Sequence, residues 1–310
     1  MATKIHPFSV IDPGAEIGDG CEVGPFCVVG AGVKLGPRSK LLNNVTIVGD
    51  TTIGEGNIFH PGASIGAIPQ DLSYHGEPSR LAIGDFNTFR EACQVNRGTL
   101  KGGLVTSVGS HNLIMACTHV AHDCVIEDHC ILANNTLLGG HVKVEAYATL
   151  AGAVVVHHFA TVGRLAFVGG MTRVSRDVPP FMTYEGNPPK IWCVNKVGCE
   201  RRGLSDRAVD QLKEAHRLFF RSELPFDEAL AILDSRPELT DECRYLLDFF
   251  RRAESGKLGR ARESMRTVPV SRSQIALGGH GKAAAGLPSG AKGGGAPNGG
   301  SAAGDADPDA

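Results

Sequence analysis

The sequence predicts a parallel β-helix, followed by a small α-helical domain and a disordered tail. Three observations point there. Large apolar residues recur every six positions, a glycine often follows them, and the 310-residue composition combines 40 glycines with only 6% aromatic residues. The β-helix is expected over residues 1–183 in about nine to ten coils, the helical domain over 184–255, and the tail over 256–310.

The cadence starts at Ile5 and continues through Ile11, Ile17, Val23, Val29, Leu35, Leu41, Ile47, Ile53, Phe59 and Ile65. It resumes at Ile83, Phe89 and Val95, then runs unbroken from Val108 to Val174, with no polar residue at any step. A period of six is neither the 3.6 of a helix nor the 2 of one long strand. It fits a short strand and a tight turn, repeated, with one aliphatic inward per unit. A Gly, Asn or Asp is expected at each corner, where positive φ is tolerated. A repeat this short marks a β-helix, because one unit cannot bury its apolar residue unless coils stack. Each buried aliphatic contributes about 1.5–3 kcal/mol, enough in sum to offset the ordering entropy of a long prism.

The pattern resembles that of the hexapeptide-repeat acyltransferases, whose three-sided prism is left-handed. That resemblance implies the hand; periodicity does not, and crossovers in general prefer the right hand. With three hexapeptides per coil, residues 18 apart lie one above another, about 4.8 Å apart. The cadence breaks twice, between Ile65 and Ile83 and between Val95 and Val108, where the frame slips by one. Loops leaving a rigid scaffold are where function concentrates.

Beyond Val178-Pro179-Pro180 three helices are expected. One follows Ser205 and carries Val209, Leu212, His216 and Phe219 on one face. The next follows Pro225. The third has Thr240 as its N-cap and Cys243, Leu246, Leu247 and Phe250 inward. From 256 onward Gly, Ala, Ser and Pro dominate, too few large apolar groups to order a chain.

A formal net charge of −2 gives no reason to expect nucleic acid. The N-terminus lacks the apolar run of a signal peptide, and no stretch is long enough to insert stably in a membrane, so a cytoplasmic protein is expected. The nine cysteines contain no C-x-x-C pair and read as small reduced apolar residues.

Histidines concentrate at 111, 119, 122, 129, 141, 157 and 158. Stacking by 18 puts His122 under Gly140 and Gly140 under His158. Beside this column run Asp123, His141 and Phe159, and on the other side Gly139 lies under His157. An imidazole can take a proton from an alcohol, a carboxylate can fix its tautomer, and a bare glycine N–H can bind an oxyanion. Those are the parts for attack of a hydroxyl on a thioester. His111 and His129 read as surface residues. A second reading is zinc held by imidazoles across subunits, as in the γ-class carbonic anhydrases. The segment Ala121-His122-Asp123-Cys124 and the lack of that family's loops speak against it, and no metal is expected.

Several segments are more specific. Gln70-Asp71-Leu72, Gly76-Glu77-Pro78-Ser79-Arg80, Thr118-His119-Val120-Ala121-His122-Asp123-Cys124, Ile131-Leu132-Ala133-Asn134-Asn135 and Gly139-Gly140-His141-Val142 are among them. So are Asp177-Val178-Pro179-Pro180, Glu185-Gly186-Asn187-Pro188 and Cys199-Glu200-Arg201-Arg202-Gly203-Leu204. Together, over roughly residues 5–255, they resemble the UDP-N-acetylglucosamine O-acyltransferases that begin lipid A synthesis. The resemblance implies transfer of a 3-hydroxyacyl chain from acyl carrier protein to the sugar 3-hydroxyl. It implies a homotrimer with sites in the clefts between prisms. No cofactor is implied, since the donor carries its own phosphopantetheine. It assigns His122 as general base, Asp123 as its support and the Gly140 N–H to the oxyanion hole. Asp71, His119, His141, His157 and, by position, His158 line the pocket. Asn195, Arg201 and Arg202 contact UDP, and Gly170 sits where acyl length is set. Three positions depart from the family pattern: Ser73 where a lysine is expected, Val197 where an acidic residue is common, and His158 in place of Gln. Independently, Arg201, Arg202, Lys196, Arg207, Arg217 and Arg221 form a basic region, either a solvated helix face or a dock for a diphosphate or an acidic protein.

Overall fold

The computed structural model of the chain describes residues 2–256 and 259–261. Nearly every cadence residue from Ile5 to Val174 ends a short strand, most of them two residues long, and those from Val23 onward are buried. These strands stack into three parallel sheets of a left-handed β-helix. The register is 18 residues through the regular coils: Ile5 pairs with Val23, and Val23 with Leu41. The two interruptions stretch single coils, so that Ile53 pairs with Ile83 and Ile83 with Val108. They leave the prism as loops without breaking its stacking. The core is a column of aliphatics in which Phe59 and Phe89 stack at 4.9 Å.

The corners differ from expectation. Positive φ is taken by Asp123, Asn44 and Asn135 as expected, but also by His141, Phe159, Tyr147, Cys117, Met171 and others that are neither Gly, Asn nor Asp. The left-handed region costs an L-residue roughly 1–2 kcal/mol, which coil stacking overrides. Most glycines after the cadence residue serve close approach instead. A Cβ on Gly24 would lie 1.5 Å from the Leu42 carbonyl oxygen of the next coil.

Where only helices were expected from 184, the chain first forms a hairpin. Met182–Gly186 extends one sheet in parallel beside Phe167–Val168, and Pro189–Val194 returns antiparallel. Among the described residues four α-helices follow: α1 (Lys196–Arg201), α2 (Asp206–Phe220), α3 (Phe226–Asp234) and α4 (Asp241–Glu254). α2, α3 and α4 are the helices read from sequence, with Ser205 and Thr240 accepting the capping bonds from Ala208 and Cys243. α1 is additional. Apolar faces of α2, α3 and α4 close a second core with Leu165, Phe181 and Met182. A buried polar contact ties α4 to the prism: the Tyr245 hydroxyl donates to Glu145, whose side chain is fully buried.

All nine cysteines are thiols, and burial pushes Cys93 and Cys130 up to about 12. No described helix is long and apolar enough to cross a membrane. Of the tail expected from 256, Gly259–Ala261 form a short helical turn, and 262–310 lie outside the described residues.

Candidate active site

His122 follows the strand His119–Val120 at a corner of the prism, and its environment is set by three coils. Its Nδ1 lies 2.8 Å from Asp123 Oδ2. Asp123 has a buried side chain, and its backbone N–H donates to Thr106 Oγ1 at 2.7 Å. Its carboxylate accepts twice from Thr99, from the backbone N–H at 2.7 Å and from the hydroxyl at 2.5 Å. A carboxylate so fully engaged holds one imidazole tautomer and supports the imidazolium when it forms. His141 Nε2 stands 3.7 Å from Asp123 Oδ2, and the His141 ring stacks on Phe159 at 4.3 Å.

The opposite edge of His122 faces the first loop, with Asp71 Oδ2 4.0 Å from Nε2. Partial burial alone would raise Asp71, but hydrogen bonds from Ser73, with Lys101 and His122 nearby, hold its carboxyl below the usual range. Gly140 lies one coil above. A Cβ there would fall 2.5 Å from His122 Cε1, so only glycine leaves the ring in place. Among the described hydrogen bonds none uses the Gly140 N–H, while its carbonyl accepts from Phe159. The site therefore contains a buttressed imidazole, a second carboxylate across from it and an uncommitted backbone donor.

His119 lines a cleft of about 430 Å³ with Gln70, Gln94, Cys117 and Leu137. Burial, then the neighbouring His122, pushes its imidazole below the ordinary value. His157 and His158 sit one coil beyond Gly140, their rings 3.8 Å apart, with the His158 amide above Gly139. The column derived by stacking is thus assembled. The remaining positions lie apart from it: no described hydrogen bond, ion pair or ring contact joins Gly170, Asn195, Arg201 or Arg202 to the His122 group. Gly170 packs toward the Gly152 carbonyl. Asn195 caps α1 by accepting from Gly198 and donates to Leu165 O at 2.8 Å. Arg201 is exposed at the end of α1, and the Arg202 guanidinium covers the Tyr147 ring at 4.2 Å.

His111 and His129 lie at the surface, as expected, His111 exposed and His129 half-buried. They form a stack with Phe86 and Tyr147, at centroid spacings of 5.3, 4.8 and 4.8 Å, that leads up to Arg202. Sequence reasoning missed Thr99, Thr106 and Gly102. A Cβ on Gly102 would lie 2.0 Å from Asp123 Cγ, so that glycine seats the second loop on the carboxylate. The frame slip marked the loop, but no periodicity says which of its residues bonds inward.

His122, Asp123 and His141 offer possible metal-ligand atoms within 4.8 Å of one another. Both oxygens of Asp123 are already acceptors for Thr99.

Comparison with known proteins places this geometry. The family model "Udp N-acetylglucosamine O-acyltransferase; Domain 2" matches residues 177–258, and the bacterial transferase hexapeptide model matches 2–31 and 106–140. An acyl-[acyl-carrier-protein]–UDP-N-acetylglucosamine O-acyltransferase of Anaeromyxobacter is 43% identical over 252 residues, covering 81% of this chain and 98% of that one. The chain belongs to this acyltransferase family. Its relative of the same name in Gloeothece citriformis is 48% identical over 191 residues, 62% of this chain and 69% of that one. The solved family member from Moraxella catarrhalis superposes with a TM-score of 0.78 at 40% identity, covering 80% of this chain and 96% of that one. The one from Bacteroides fragilis gives 0.77 at 36%, with the same coverage. The acyltransferase expected from the sequence is therefore what the fold carries, and the hand implied by the resemblance holds.

Proposed function

We propose that this acyltransferase moves a 3-hydroxyacyl chain from acyl carrier protein to the 3-hydroxyl of UDP-N-acetylglucosamine, the first step of lipid A synthesis. The observation that carries the mechanism is the 2.8 Å contact of His122 Nδ1 with a buried, doubly hydrogen-bonded Asp123. It directs Nε2 outward as the base. Nε2 takes the hydroxyl proton as the sugar oxygen attacks the thioester carbonyl. The carbonyl oxygen becomes an oxyanion, which accepts from the Gly140 N–H. Collapse breaks the C–S bond, and the departing phosphopantetheine thiolate receives the proton from the imidazolium. A positioned base supplies roughly 10²–10⁴ in rate, and one oxyanion donor roughly 10²–10³. No resident cofactor takes part, because the donor carries its own.

Asp71, His119, His141, His157 and His158 line the acceptor and acyl pocket, and Gly170 bounds the acyl tail. Arg201, Arg202 and Asn195 serve the UDP end from an adjacent copy in a homotrimer. Exposed aliphatics on the prism faces (Val125, Ile131, Leu137 and Val155) and a fully exposed Leu72 on the first loop support such an assembly. Purified protein incubated with 3-hydroxyacyl carrier-protein thioesters and UDP-N-acetylglucosamine tests the reading. Acylated nucleotide sugar is expected. Turnover only with a coenzyme A thioester, or only with a 3-amino sugar, would overturn the substrate assignment.

A further inference from the structure

The turn that covers Asp123 also reaches the other side of His122. Thr99 stands at the start of a single 3-10 turn, Leu100–Gly102, and donates both its bonds to Asp123. Two residues later Lys101 Nζ donates to Ser73 Oγ at 2.8 Å. Ser73 in turn gives its backbone N–H to Asp71 Oδ1 at 2.9 Å. Asp71 Oδ2 is the atom 4.0 Å from His122 Nε2. One short turn thus bears on both carboxylates that flank the imidazole, one at each ring nitrogen.

The two loops are joined elsewhere too, by Asn96 Nδ2 to Ile68 O at 2.8 Å and Arg97 N to Ala67 O at 3.0 Å. Those bonds lie at the root of the first loop; further out, Arg97 Nη2 donates to the Tyr74 hydroxyl at 3.4 Å, and Lys101 fastens the loop more closely at Ser73, two residues from the one that faces the site. The lysine expected just after Gln70-Asp71-Leu72 is absent. In its place Lys101 brings an ammonium to the Ser73 hydroxyl from the opposite loop.

We propose that Lys101 is a positioning residue for the acceptor: through Ser73 it sets the Asp71 carboxylate beside the atom that His122 deprotonates. Asp71 then accepts a hydrogen bond from a neighbouring donor on the sugar, while the attacking hydroxyl gives its proton to Nε2. The ammonium also offsets the negative charge of Asp71, in a loop that already carries Glu77. A carboxylate fixed before the sugar arrives spares the ordering cost on binding. The proposal rests on the acceptor reading given above.

Steady-state transfer by the full-length enzyme tests it, with wild type, His122→Ala, Lys101→Ser, Lys101→Arg and the exchanged pair Ser73→Lys with Lys101→Ser. Lys101→Ser is expected to raise the KM for the nucleotide sugar roughly tenfold, the value of one charge-assisted hydrogen bond. The KM for the acyl donor is expected to stay within about twofold, since Asp71 serves the acceptor. Lys101→Arg and the exchanged pair are expected to restore the acceptor KM, which a loss of general stability would not allow. A wild-type acceptor KM in Lys101→Ser, or an exchanged pair no better than that single variant, overturns the proposal. An inactive wild type, or full activity in His122→Ala, overturns the underlying reading instead.

Discussion

At position 140 a methyl group has nowhere to go. The space that alanine needs is the edge of the His122 ring. Gly140→Ala is therefore expected to displace the imidazole and lower kcat at least roughly 10²-fold, with an unchanged melting temperature. A near-normal kcat would mean that the ring can move aside without loss of function. Thr99 makes a different case. Replacing it by Val keeps the volume and the backbone bond but removes the hydroxyl that Asp123 accepts. The carboxylate then holds His122 less firmly, and a loss in kcat of roughly tenfold is expected, read from steady-state rates. Gly140 was legible in the sequence because it falls 18 residues from His122, on a strict period. Thr99 was not, since it belongs to an irregular loop where spacing carries no direction. Arg202 is proposed to serve the UDP end, and on that reading Arg202→Ala is expected to raise the KM for the nucleotide sugar. An unchanged KM would place UDP elsewhere.

Among the elements, the strands were the easiest to read, because one aliphatic every six residues leaves each of them a single inward position. The hairpin of residues 182–194 was hidden by its own prolines. Pro188 and Pro189 fall within it and argue against a strand, yet the pairing lies at the end of a sheet, where lost N–H donors are tolerated. α1 escaped notice because it has only six residues and includes Gly198. The helices α2, α3 and α4 were visible through their caps and apolar faces. What sequence could not give is how they attach. The Tyr245 hydroxyl donates to a carboxylate buried in the prism, 2.9 Å away, and burial together with that carboxylate pushes Tyr245 up to about 12. Tyr245→Phe leaves Glu145 short of one donor and is expected to destabilise the protein by about 1–3 kcal/mol in chemical denaturation. A stability equal to wild type would show that the helical part is held by apolar contact alone.

Within the described residues, the stacked coils form a prism whose chemistry-bearing groups gather where loops and corners depart from the regular repeat. Burial holds His119, His129 and His216 below the ordinary imidazole value. Their charged forms are thus favoured in the unfolded chain, which binds more protons as the medium becomes acid. Stability contributed by these groups is present above pH ~6.5 and falls as pH drops from there toward their folded values. Denaturant midpoints at pH 7.5 and 5.5 are expected to show that decline, and a higher midpoint at pH 5.5 would contradict it. The assembly proposed for the enzyme has a mass of three chains of 32.6 kDa, which sedimentation equilibrium reads directly. The most direct measurement of the central claim is single-residue removal of the base. His122→Ala, checked for an intact fold and the wild-type oligomer, is expected to lose roughly 10²–10⁴ in kcat for acyl transfer to UDP-N-acetylglucosamine. A variant that turned over at close to the wild-type rate would contradict the mechanism, because a group other than His122 would then be taking the hydroxyl proton.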